Sequence, residues 1–185
     1  MARVPYLDKS DLSADDQDLL ERDINLHRAL VNSPGATREF LKIAKFIRLK
    51  SRLDPRLREL AILQVGYTTR SPYEYSHHVK CGREFGLSAG DIHAIGDETA
   101  GRSSDLEPLA KAVLRAAREM TVDLAISDET FDELRQGLDN ECLTDLVMVI
   151  AFYNSVVRLL ATLQIDVEDG FAPYLEEFPL PVGDA

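Results

Sequence analysis

The chain has 185 residues, 45% of them hydrophobic, which is enough for one domain with a substantial core and some apolar surface left over for self-association. A net charge of −11 and a pI near 4.8 repel phosphate backbones and anionic lipid, so neither nucleic acid nor a membrane surface is an expected partner. No charged segment followed by an apolar one opens the chain, and no apolar run reads as the roughly 18 to 20 residues that span a bilayer, so a soluble cytoplasmic protein is expected.

Ser13 and Asp16 have capping-box spacing and predict a helix running to about Val31, followed by a turn at Ser33-Pro34-Gly35. A second helix is expected from about Thr37 to Lys50, with Phe40, Leu41, Ala44 and Ile47 at helical spacing and Lys42, Lys45 and Arg48 turned to water or a partner. Asp54-Pro55 starts a third, reaching about Thr69. Ser71-Pro72 starts a fourth, closed near Phe85 by Gly86. Ser88 and Asp91 open a short fifth that Gly96 is expected to end, and capped segments follow from Ser104 and Ser127. The stretch from Glu141 to about Ile165 has too many apolar faces for a helix exposed on one side and is expected to be the central core helix. Residues 167–185 hold Pro173, Pro179 and Pro181, with Phe171, Tyr174 and Phe178 among them, and read as an extended C-terminal arm. No β-alternation long enough for a sheet appears, so the expectation is a single all-α domain over 1–185, a bundle of about seven helices.

The chemistry concentrates in residues 58–82, where Glu59 falls early on the third helix and Glu74 and His78 lie one turn apart on the fourth. A carboxylate one turn before a histidine is a geometry that orients imidazole for acid–base work. Each group also has a structural reading. Glu74 stands where a capping box begun at Ser71 would place it, Glu59 suits a solvated or arginine-paired carboxylate near Arg56 and Arg58, and His27 and His93 read as structural. Cys81 follows His77 by four residues and His78 by three; a small buried residue is the simpler reading, although a neighbouring imidazole lowers a thiol pKa. Cys142 is far from Cys81, and no disulfide framework is implied. With neither a second Glu-x3-His pair nor a His-x3-His, no metal site is expected, and phosphate-binding glycine loops, nucleophile elbows and Cys-x2-Cys pairs are absent.

The run LRELAILQVGYTTRSPYEYSHHVKCGREFGLSAGDIHAI resembles the core of the carboxymuconolactone decarboxylase and alkylhydroperoxidase D-like superfamily, and YNSVVRLLATLQIDVEDG resembles the closing helix of its decarboxylase-like members. Redox members carry a glutamate, then Cys-x2-Cys, then a histidine four residues after the second cysteine. On this chain Glu59 matches the glutamate and His78 the histidine, while Ser71 and Glu74 stand where the two cysteines would be. Neither can attack a peroxide or resolve a sulfenic acid. The resemblance therefore implies Glu59, Glu74 and His78 as the catalytic groups of a decarboxylase-like acid–base enzyme, with His77, Tyr75 and Ser71 contacting substrate. It implies a small organic acid or lactone as substrate, decarboxylation or isomerisation as reaction, no cofactor, and a homo-oligomer with sites near subunit interfaces. Two alternatives stand beside it. One is a thiol peroxidase using Cys81; the other is a non-catalytic helical binding or scaffold oligomer.

Overall fold

The computed structural model describes residues 2–181 and holds nine α-helices and three short 3-10 turns, with no strand among the described residues. The all-α expectation is met. The helices are α1 (Asn25–Leu30), α2 (Pro34–Leu49), α3 (Pro55–Thr68), α4 (Pro72–Glu84), α5 (Ala89–Thr99), α6 (Pro108–Val122), α7 (Asp128–Gly137), α8 (Asn140–Leu163) and α9 (Ala172–Glu177).

The centre of the molecule is α3 rather than α8. Every residue from Leu57 to Gly66 is buried, and α4, α5, α6 and α8 all pack on it. The sequence points to α8 because its composition is more apolar, but α8 presents only one broad face, through residues such as Leu146, Ile150, Val157 and Leu160, and leaves Met148 exposed. An 18-residue stretch of α8 with a mean hydropathy of 1.9 is, by length and composition, apolar enough to cross a membrane, which corrects the expectation that no such run exists. Here that face packs against α3, α6, α7 and α4.

Several boundaries differ from the sequence expectation, each for a local reason. The helix expected from Ser13 is replaced by two 3-10 turns and the short α1, because the Ser13 hydroxyl donates to Asp16 Oδ2 (2.8 Å) and Arg38 draws in Asp16 and Asp18 at 3.0 and 2.9 Å. Aspartates held by side-chain bonds favour turns over helix interior. Pro34 is the first residue of α2 rather than part of a turn, a position where its missing N–H costs nothing. Through Gly96, α5 continues without a break, and that glycine serves packing: a Cβ there would stand 3.1 Å from the Tyr67 hydroxyl. Ser104 bonds Glu98 (2.6 Å) instead of capping, and α6 starts at Pro108.

The tail is not an extended arm. After α8 ends at a left-handed Gln164, a 3-10 turn (Asp169–Phe171) leads into α9, which lies against α4; Arg83 ion-pairs with Glu177, and Phe178 is buried in the core of its own chain. Residues 182–185 of the expected arm lie outside the described residues.

Candidate functional site

Two helix starts and one glycine bring the site together. Asp54 accepts hydrogen bonds from the backbone N–H groups of Arg56 (2.9 Å) and Leu57 (3.1 Å), which fixes the first turn of α3 and with it Glu59. At the far end of α3, a Cβ on Gly66 would meet the Tyr75 backbone nitrogen at 3.2 Å, so α3 and α4 touch almost backbone to backbone. That close approach sets His78 opposite Glu59.

His78 Nδ1 lies 2.6 Å from Glu59 Oε2 in a hydrogen bond, and His78 Nε2 lies 3.0 Å from Glu74 Oε1 as an ion-pair contact. Glu59 Oε1 accepts from the Arg58 Nε and Nη2 at 3.1 and 3.0 Å. Both Glu59 oxygens are therefore engaged. Arg58 is itself buried, with its guanidinium 4.6 Å from the Phe85 ring centre, and Nη1 donates to the carbonyls of Ile47 and Arg48 in the last turn of α2. A cation bonded to those carbonyls also suits the negative end of that helix. Glu74, by contrast, is a buried carboxylate whose one partner among the described residues is His78. The capping box that its spacing suggests does not form, because the Ser71 N–H is taken by the Gly66 carbonyl at 2.9 Å.

The electrostatics follow from this arrangement. Burial opposes the His78 imidazolium, but the Glu59 and Glu74 carboxylates beside it outweigh that and hold its pKa well above the ordinary histidine value. Burial likewise works against the Glu59 carboxylate, and His78 with Arg58 more than offsets it, holding Glu59 below the usual carboxylate range. The Tyr153 ring meets His78 edge-on at 4.9 Å, and burial pushes its phenol upward, so it is a neutral hydroxyl at physiological pH.

Glu59, Glu74, His77, His78 and Cys81 line one cavity of about 90 Å³, walled on other sides by Phe40, Phe85, Phe152 and Tyr153. His77 has a structural partner set that the sequence did not disclose. Its ring is stacked between Tyr73 (4.2 Å) and Phe171 (3.6 Å), and its Nε2 bonds Glu168 at 2.7 Å. Glu168 also accepts from the Tyr73 hydroxyl and the Asn25 backbone N–H (3.0 and 2.6 Å), and its pKa falls to about 2: these hydrogen bonds, with His77 contributing most, overcome the opposing effect of burial. Tyr75 packs in the core, 5.8 Å from Tyr67, and is not on the cavity wall. Ser71 lines a separate groove with Thr69 and Val157. Both stay off the cavity despite their helical spacing from His78, because Ser71 is the N-cap, two turns away at the end of α4, and the Tyr75 ring turns into the core toward Tyr67.

Among the described residues, no three histidine, cysteine or acidic groups are disposed to hold a metal ion. What the arrangement offers is a proton held on His78 between two carboxylates, one locked in place and one with a single partner.

Residues 34–119 match the model of the carboxymuconolactone decarboxylase family. Over nearly the whole chain, the fold is that of a peroxidase-related protein with an alkylhydroperoxidase D core from Ralstonia eutropha JMP134, at 20% identity and a TM-score of 0.80, covering 97% of this chain and 98% of that one. The chain is therefore similar to the carboxymuconolactone decarboxylase family over this central stretch and shares its overall fold with alkylhydroperoxidase D-like proteins. A second member of the fold, the debrominase Bmp8 in complex with 2,3,4-tribromopyrrole, is 18% identical with a TM-score of 0.81, covering 96% of this chain and 98% of that chain. An uncharacterised peroxidase-related protein from Silicibacter sp. TM1040 is 18% identical with a TM-score of 0.70, covering 91% and 92%. No curated protein sequence is significantly similar to the chain. At such identities the likeness fixes the fold, and the chemistry has to be argued from the cavity.

Proposed function

We propose that this protein is an acid–base enzyme acting on a small organic acid, lactone or related carbonyl compound, by isomerisation or decarboxylation. The observation that carries the reading is the His78 imidazole held between Glu59 and Glu74 on a cavity wall. Glu59, fixed by Arg58, positions the imidazole and favours its charged form. Glu74 is the group that meets substrate. In an isomerisation, Glu74 removes a proton from carbon next to a carbonyl, the electron pair moves into the carbonyl as an enolate, and the proton returns at another carbon with His78 as the reserve donor. In a decarboxylation, the bond to the carboxylate breaks, carbon dioxide leaves, and the carbanion takes its proton from the same relay, which water then refills.

The aromatic walls from Phe40, Phe85 and Phe152 suit a flat or ring-shaped molecule, in keeping with the small ring bound by the debrominase of the same fold. A thiol peroxidase cycle has less support, because Cys81 is the one thiol on the wall and Cys142 lies at the start of α8, away from it. The same reading includes self-association of this chain through α2, whose Ile43, Phe46 and Leu49 are exposed.

Incubation in heavy water with a panel of small keto acids and γ-lactones, followed by proton NMR and carbon dioxide release, tests the proposal. Turnover of at least one compound is expected, lost in Glu74→Gln and in His78→Asn. Turnover that persists in Glu74→Gln, or peroxide consumption abolished by Cys81→Ser, contradicts it.

A further inference from the structure

The cavity has a second polar end that the proton relay does not use. Arg22, His27, Ala44 and Arg48 line the inner cavity and also an open groove on the surface beside it, so they form the neck between the two. His27 is only 7% exposed, and its Nδ1 is buried with no hydrogen-bond partner. The Arg22 backbone is near enough to favour an N–H on the ring, and with Nδ1 buried and unpartnered that N–H belongs on the other nitrogen. A histidine that donates to a carbonyl through Nε2 leaves Nδ1 as a bare acceptor. A buried acceptor without a donor costs roughly 1 to 3 kcal/mol, so its retention at a cavity neck calls for a ligand to satisfy it.

The charges around it point to what that ligand carries. Among the described residues neither Arg22 nor Arg48 has a carboxylate partner, whereas Arg58, deeper in, is committed to Glu59. In the outer groove Lys45 adds a further cation, and of the two acids there, Asp18 is paired with Arg38 and Glu21 remains. In a chain with a net charge of −11, two unpaired arginines converging on one neck run against the overall balance.

We propose that this neck is an anion subsite: Arg22 and Arg48 bind the carboxylate of the substrate, and His27 Nδ1 accepts a hydrogen bond from a hydroxyl or N–H group on the same molecule. The proposal deepens the acid–base reading and rests on it for the reaction, not for the binding. Held there by its carboxylate, a small acid extends its reacting carbon inward toward Glu74. The arginines then act as specificity-determining residues, and His27 as a positioning residue.

The probes are benzoate, its uncharged methyl ester and 3-hydroxybenzoate, titrated by ligand-observed NMR against the full chain. Benzoate is expected to bind at least about tenfold more tightly than methyl benzoate. Arg22→Gln and Arg48→Gln should each remove most of that preference while leaving the ester unchanged. Both side chains are at the surface or half-buried, so the fold survives, as melting curves will show. The advantage of 3-hydroxybenzoate over benzoate should vanish in His27→Leu, with His27→Phe as the second variant if leucine disrupts folding. Equal binding of benzoate and its ester, no binding of either, or an unchanged preference in both arginine variants overturns the subsite. Carboxylate preference without any proton exchange in heavy water would remove the proposed reaction and leave the subsite standing.

Discussion

At the scale of single residues, the site is a set of unequal partners. Glu59 is saturated by Arg58 and His78, so in the proposed reaction it holds a charge in place, while Glu74 has one partner among the described residues and lines the cavity. Glu59→Gln should therefore lower the His78 pKa and cut turnover by about 10² to 10⁴, the range typical of general acid–base groups, without emptying the cavity. Arg58→Met leaves a buried carboxylate short of its cation and the α2 carbonyls short of a donor, and a loss of about 3 to 5 kcal/mol in urea unfolding is expected. His27 sets a different pH dependence. Burial above all, helped by the nearby Arg22 charge, pushes its pKa down to about 4, so the folded state keeps it neutral. Its contribution is complete above the unfolded value near 6.5 and is lost as pH falls from there toward 4. Melting curves between those limits should drop for the wild type, and that limb should flatten in His27→Leu. The Glu59 and His78 pair was legible in the sequence because its parts lie on adjoining helices at a spacing shared with a superfamily. Glu168 was not, because its bond to His77 joins residues 91 apart through a tail whose prolines hid its helical turn.

At the scale of elements, the contact between α3 and α4 decides whether the relay exists. Gly66→Ala places a methyl 3.2 Å from the Tyr75 nitrogen, and backbone cannot yield as a flexible side chain does, so the helices must separate. A destabilisation of about 1 to 3 kcal/mol is expected from thermal melts, with proton-transfer activity falling further than stability alone accounts for. Helix identities were readable from caps and prolines at Asp54-Pro55, Ser88 and Ser127, where the local signal and the fold agree. They were misread where side chains served tertiary partners instead, as with Asp16 and Asp18 on Arg38 or Ser104 on Glu98. Burial ranking failed between α3 and α8 for a related reason. A helix surrounded on all sides can keep Arg58, Glu59 and Gln64 if each is bonded, and composition alone does not reveal that.

At the scale of the whole molecule, the tail changes what the surface offers. Phe178 is buried within its own chain and Phe171 covers His77, so these aromatic residues of the tail are satisfied inside the molecule. Phe178→Ala should cost about 3 to 5 kcal/mol as an intramolecular core truncation, independent of protein concentration. The proposed self-association would instead use α2, which touches only α1 and an N-terminal 3-10 turn strongly and leaves Ile43, Phe46 and Leu49 in water. Sedimentation of Phe46→Asp should show a smaller species than the wild type; a monomeric wild type at micromolar concentration would remove that part of the reading. NMR titration of ¹⁵N-labelled histidine should find His78 doubly protonated at neutral pH, losing its proton only well above the ordinary histidine value and sooner in Glu59→Gln. A His78 that titrates near 6.5, unmoved by that substitution, would contradict a proton held between Glu59 and Glu74.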